Sequence, residues 1–171
     1  MVIRTERPGD ETPIARLLYA AFHNHPQHPP GSEPVEHAIV ARLRADRALA
    51  LSLVAEADGV IVGHLALSPA RVGAAGPGWL LLGPLGVLPA RQGQGIGSAL
   101  VRQALGRLAD TGAAGVVLVG DPGFYGRFGF AAVPGLGWPG VPERYVLAVS
   151  FGPAQPVGDI AAHPAFGVAA S

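Results

Sequence analysis

The ten residues Trp79 to Leu88 are apolar on both faces of an extended chain, and a strand of that kind needs neighbours and cover on either side. They belong at the centre of a sheet. Within the run Pro84 has no N–H to give and Gly83 permits a bulge, so the strand should lose ladder bonds near its middle and part from one neighbour there. Helical spacing takes over from Gly95 to Thr111 through Ile96, Leu100, Ala104 and Leu108, and Ala114 to Val119 reads as a second buried strand. Residues 79–120 therefore form a βαβ core with a slot between two parallel strands.

The flanking elements read as follows. Val2 to Thr5 makes a short first strand, and Asp10 opens a helix with Ile14, Leu17, Leu18, Ala21 and Phe22 on one face. His23 to Gly31 combines three His with three Pro and ends that helix in a loop. Ser32 is expected to cap a second helix ending near Arg47, with Glu33 and Glu36 in its first turn and Arg42 and Arg44 in its last, matching the helix dipole. Leu51 to Ala57 and Val60 to Leu67 form a hairpin about Asp58-Gly59. Beyond the core come a short helix at Pro122 to Phe128, a Gly/Pro-rich loop at 134–142, and a last strand at Tyr145 to Phe151. That strand is expected to be exposed, leaving the protein a monomer or a homodimer paired along it. One domain is expected over 1–151, with an Ala/Gly/Pro-rich tail, 152–171, packed on it or trailing loosely from it.

Composition removes several classes of function. Lys+Arg and Asp+Glu balance at 12 each, which gives no net field to hold nucleic acid or an anionic membrane. All 12 basic residues are Arg, so the P-loop signature with its phosphate-binding Lys is excluded. The absence of Cys rules out disulfides, a thiol nucleophile and thiolate metal sites, and fits a cytoplasmic protein. No apolar stretch reaches the roughly 20 residues of a membrane span. Hydrophobic residues make up 49% against 14% charged, enough apolar burial for an ordered core.

The chemistry of the chain gathers between the central strand and the long helix, in Arg91-Gln92-Gly93-Gln94-Gly95-Ile96-Gly97-Ser98. Its glycines let a ligand approach the backbone, and the unpaired N–H groups of a helix N-terminus favour an anion, so the loop is a pyrophosphate cradle to which Arg91 adds charge. The alternative is a turn that only packs the helix on the sheet. A dinucleotide fingerprint does not fit, because Ser98 replaces its third Gly and four residues separate strand from loop.

The run Leu85 to Ser98 resembles the acetyl-CoA-binding signature of the GNAT superfamily, Q/R-x-x-G-x-G/A, with Gln92 to Gly97 at the key positions. Phe124-Tyr-Gly-Arg-Phe-Gly-Phe130 resembles that family's second landmark, a Tyr followed by a Gly-Phe pair. With Gly120-Asp121-Pro122 and His163-Pro-Ala-Phe166, the pattern is similar to the YhbS-like branch of N-acetyltransferases. The resemblance implies the GNAT acyl-CoA N-acyltransferase fold, an α/β (α+β) mixed sheet splayed between two parallel strands with helices on both faces. It implies an acetyl-CoA-dependent N-acetyltransferase that moves acetyl to a primary amine of a small molecule or protein by direct attack through a tetrahedral intermediate. Backbone groups of Leu85, Gly86 and Val87 would meet the pantetheine and thioester, while Gln92, Gly93, Gln94, Gly95, Gly97 and Ser98 would hold the phosphates. Many members carry an Asn after the fifth strand inside a longer helix; here that segment is short and starts at Asp121, which puts pantetheine contacts from this side in question. The rival function is a CoA- or acetyl-CoA-binding sensor or interaction module with this fold and little catalysis.

Tyr125 occupies the family's tyrosine position, and its O–H suits a general acid for the departing thiolate; the alternative is an aromatic packing residue. No carboxylate on Trp79-Leu80-Leu81-Leu82 offers a base, which leaves a water chain or His64, unless His64 is only a core or rim histidine. His23, His25 and His28 lack a companion carboxylate or Cys cluster at ligand spacing, so no metal is expected; their loop is instead a candidate wall of the acceptor site.

Overall fold

The computed structural model describes residues 1–170 apart from Asn24 and Gln27. Four α-helices, α1 (Glu11–Phe22), α2 (Glu36–Ala45), α3 (Ile96–Leu108) and the single turn α4 (Pro122–Tyr125), accompany β1 (Val2–Thr5), β2 (Leu51–Ala57), β3 (Val60–Val72), β4 (Trp79–Val87), β5 (Gly115–Val119), β6 (Ala131–Ala132), β7 (Leu136–Gly137), β8 (Val146–Ser150) and β9 (Gly158–Ala161). The strands form one mixed sheet, with β1-β2-β3-β4-β5-β8-β6 in spatial order and β9 joining the far end of β3 to β7. No helix among the described residues is long and apolar enough to cross a membrane.

Alternation along β2 and β3 sends side chains to two cores. On one face Leu53, Ala55, Leu65 and Leu67 pack with Ile96, Leu100, Val101 and Ala104 of α3. On the other Val54 and Ala66 meet Ile14, Leu17 and Leu18 of α1 and Val40 of α2. Helices thus cover both faces, as expected.

The slot lies where Gly83 and Pro84 placed it. β4 and β5 run parallel only over Trp79–Leu81 against Gly115–Val117. Past that point β4 follows β3, with Leu85, Gly86 and Val87 opposite Leu65, His64 and Gly63, and β5 follows β8. The β3–β4 register slips at this place too, since Leu67 pairs with Leu82 but Leu65 with Leu85, setting two residues of β4 against one of β3.

Several expectations need correction. Ser32 does not cap α2, which begins at Glu36 with Val35 before it. Glu33 precedes Pro34, whose ring disfavours helical backbone in the preceding residue. The Ser32 hydroxyl donates instead to the Pro29 carbonyl, and Glu33 accepts from the Tyr19 hydroxyl. β3 continues five residues past Leu67 to Val72, where it pairs with β9. The expected last strand is not a bare edge, because β6 covers β8 through Ala131–Ala148 and Ala132–Leu147. Of the two arrangements expected for the tail, the packed one is present: Ile160 and Ala165 are buried, and Phe166 packs against Ile39 and Leu43 of α2.

His64 is fully buried on β3, its Nε2 2.8 Å from the Ser52 hydroxyl. That hydroxyl donates to Glu6 at 2.5 Å, so the ring nitrogen is the donor in the pair; Arg44 grips Glu6 at 2.6 and 3.0 Å. Burial, which penalises the charged imidazolium, pushes His64 down to about 4. Burial would raise Glu6, but hydrogen bonds from Arg44 and Ser52 hold it below the usual carboxylate range. An imidazole depressed on folding binds its proton more readily in the unfolded chain, so its contribution is complete above about pH 6.5 and declines as pH falls toward 4, on the order of 3 kcal/mol in all. Urea unfolding between pH 7 and 4.5 should show this loss in the wild type and a much flatter profile in His64→Gln; equal slopes would show that His64 does not set it.

Candidate active site

The loop that follows β4 begins with a 3₁₀ turn, Pro89–Arg91, and ends at Gly95, the residue before α3. Gly93 and Gly95 have φ of +78° and +83°, a left-handed conformation that L side chains rarely adopt, and nothing lies within 4 Å of where a Cβ would project from either. The first-turn amides of α3, a helix of 13 residues, are therefore uncovered by side chains. Gln92 turns back and donates from Nε2 to the Val87 carbonyl at 3.2 Å, tying the loop to the end of β4.

A depression of about 420 Å³ opens above this loop, lined by Leu85, Val87, Arg91, Gln92, Gly93, Gly95, Gly97 and Ser98, and closed opposite by Phe124 and Arg127. Of the residues expected to touch the cofactor, Gly86 and Gln94 lie outside this lining. Gly86 serves the opposite face, where a Cβ would come 2.9 Å from Leu18 of α1. Arg127 is the addition that sequence reasoning missed; its guanidinium lies over the Phe124 ring at 4.9 Å. A Y-G-R-F stretch gives no periodic sign that its Arg faces the loop.

A second cleft, of about 530 Å³, continues past the shared residues Leu85 and Phe124 into the splay between β4 and β5. Leu81 to Pro84 and Val119 to Asp121 form its two lips, and Tyr125 lies on its floor. Phe22 at the end of α1, His25 from the loop after it, Glu36 and Ile39 from α2, Trp138 and Val141, and Phe166 complete the walls. The expected His-rich loop does wall this cleft, through His25. The tail contributes as well, a role that its composition did not signal.

Tyr125 is placed by its own turn. Asp121 accepts from the Gly123 N–H at 2.9 Å and Pro122 occupies the first helical position, which fixes the start of α4. The ring packs edge-on against Phe124 and Phe130, with centroids 4.8 and 5.8 Å away. A Cβ at Gly120 would lie 2.5 Å from that ring, so glycine is what lets Tyr125 settle against the end of β5. Burial in apolar surroundings pushes the phenol up to about 12, so it keeps its proton throughout the neutral range.

His64 lies among the residues under α1 and α2 and lines neither cleft, which removes it as the base. Among the described residues no group of three or more His, Cys, Asp or Glu could hold a metal ion. His23 stacks on Tyr19 at 5.3 Å, and His28 Nε2 pairs with Glu36 at 3.0 Å.

A central strand, a glycine loop at a helix N-terminus and a splayed parallel pair with a buried tyrosine define an acyl-CoA-binding fold of the GNAT type. The chain belongs to the acetyltransferase (GNAT) family, whose profile matches residues 14–130. It is 38% identical over 131 residues to the uncharacterized N-acetyltransferase YhbS of Escherichia coli (strain K12), covering 76% of this chain and 73% of that protein. A GNAT family acetyltransferase from Brucella melitensis, solved with acetyl-CoA, is 48% identical with a TM-score of 0.81, covering 96% of this chain and 97% of that one. The E. coli YhbS structure in complex with CoA superposes with a TM-score of 0.84 at 32% identity, covering 97% and 91%.

Proposed function

We propose that the protein is an N-acetyltransferase that takes the acetyl group of acetyl-CoA to a primary amine by direct attack. The observation that carries this reading is the division of charge between two clefts that meet at Leu85 and Phe124. Among the described residues, the cleft at the glycine loop is lined by Arg91 and Arg127 and no acid, while the cleft in the splay is lined by Glu36 and Asp121 and no Arg. An anionic phosphate chain suits the first end and a cationic amine the second, with the junction at Leu85 and Phe124 between them.

In this reading Arg91, Gly93, Gly95, Gly97 and Ser98 hold the phosphates, and the backbone of β4 from Leu85 to Val87, released from β5, faces the pantetheine and the thioester. A free N–H there would stabilise negative charge on the carbonyl oxygen. The amine, having lost its ammonium proton to water, adds to the thioester carbonyl to form a tetrahedral intermediate; the nitrogen's second proton passes to water, the C–S bond breaks, and the Tyr125 hydroxyl donates toward the departing sulfur. An apolar site that raises the phenol raises a thiol in the same way, since both conjugate bases are anions, so the two stay close enough for that donation to count.

Thermal unfolding with and without acetyl-CoA tests the cofactor half. At about 100 times its Kd a ligand adds roughly 2.7 kcal/mol, a rise of about 5–10 °C for a domain of this size. NAD and ATP should give no comparable rise. A chain indifferent to acetyl-CoA would contradict the proposal.

A further inference from the structure

The acceptor end of the cleft has a character of its own. Phe22, Ile39, Trp138, Val141 and Phe166 give it apolar and largely aromatic walls. Of its two carboxylates, Asp121 is solvent-exposed and spends Oδ1 on the Gly123 N–H that starts α4. Glu36 is the more buried one, where a charge is screened less. Its side chain, only 13% exposed, stands at the first residue of α2, with Oε1 accepting from the Val35 N–H at 3.2 Å and Oε2 3.0 Å from His28 Nε2. Read along the chain, Glu36 is one more acid in a helix's first turn; the fold turns it inward among aromatic rings.

Given the acetyltransferase reading above, we infer that this end of the cleft takes a small arylalkyl primary amine, its ammonium on Glu36 and its ring among Phe22, Trp138 and Phe166. Charge complementarity and the walls decide the class together. A carboxylate near low-dielectric walls favours a cation, and a lining with no Arg among its described residues gives no fixed positive charge to a substrate carboxylate or phosphate. An α-amino acid would bring its carboxylate close to Glu36 without an Arg among those residues to offset the repulsion. A polyamine would have to lay its further ammonium groups along aromatic walls where the exposed Asp121 is the one other acid in the described lining, and a lysine peptide would have to strip water from its backbone there. An arylalkylamine carries one positive charge and one apolar body, which is what the cleft offers partners for. His28 acts through Glu36 as a positioning residue.

Steady-state acetylation by the full-length protein tests this with 2-phenylethylamine and tryptamine set against phenylalanine, tryptophan, spermidine and a lysine peptide. The expected result is a kcat/KM for the two amines about 100-fold above that for the corresponding amino acids, and above that for spermidine or the peptide. Glu36→Gln should raise KM for 2-phenylethylamine about 10-fold or more while kcat changes less and the acetyl-CoA melting shift is retained, which also shows that the variant is folded. His28→Gln, which keeps a donor beside Glu36, should raise KM less. Preference for spermidine, the peptide or the amino acids, or an unchanged KM in Glu36→Gln, would overturn the inference and leave the acetyltransferase reading standing. Failure to acetylate any amine in the panel would overturn both.

Discussion

Replacing Tyr125 with Phe is expected to lower kcat for acetyl transfer by about 100-fold, the lower end of what a positioned general acid contributes, and to leave the Kd for acetyl-CoA nearly unchanged. The phenyl ring preserves the edge-on packing with Phe124 and Phe130, so the variant folds and the cleft keeps its floor. What disappears is one O–H, a donor whose proton is secured by a phenol pushed up to about 12. The loss belongs in kcat because the interaction strengthens only as charge develops on sulfur. Single-turnover acetylation with acetyl-CoA saturating separates this from slow product release. Unchanged turnover would reduce Tyr125 to a packing residue, and tight acetyl-CoA binding with no turnover in the wild type would favour a cofactor-sensing module instead.

Gly95→Asp is expected to raise the Kd for acetyl-CoA by at least about 100-fold while the fold survives. Asp is among the residues that tolerate left-handed backbone, and a Cβ there meets nothing within 4 Å. The position immediately precedes α3, where no side chain caps the helix at present, so the new carboxylate stands beside the first-turn amides. On the proposed reading those amides meet the pyrophosphate. The variant supplies its own anion to the cradle, and its negative charge repels a second. Calorimetric titration with acetyl-CoA, alongside a melting curve of the free protein, reads both effects; retained binding would move the phosphates away from the α3 N-terminus.

How much of this was legible along the chain depended on whether a residue's surroundings were local. Trp79 to Ala114 could be read because a strand apolar on both faces and a helix with Ile96, Leu100, Ala104 and Leu108 on one side each announce where they sit, and Gly83-Pro84 marked the splay from covalent geometry alone. Glu36 could not be read in that way. An acid in a first turn satisfies the helix dipole whatever it faces, and only the passage of α2 across the mouth of the splay distinguishes one that faces water from one that faces a cleft. Trp138 and Phe166 lie in Gly/Pro-rich stretches without periodicity, so nothing local indicated that β7 and β9 bring those stretches to the sheet. Ser32 misled for a different reason, since the signal for a cap was present but Pro34 restricted Glu33 and delayed the helix.

The glycine-loop end of the cleft comes from one stretch of the chain, and the splay end adds segments from outside it. Glycine loop, β4 and the Tyr125 turn all lie within residues 79–130, whereas Phe22, His25, Glu36, Ile39, Trp138, Val141 and Phe166 all lie outside that stretch. On the proposed reading, substitutions in the outer segments would change which amine fits and leave the glycine loop, which lies wholly within 79–130, undisturbed.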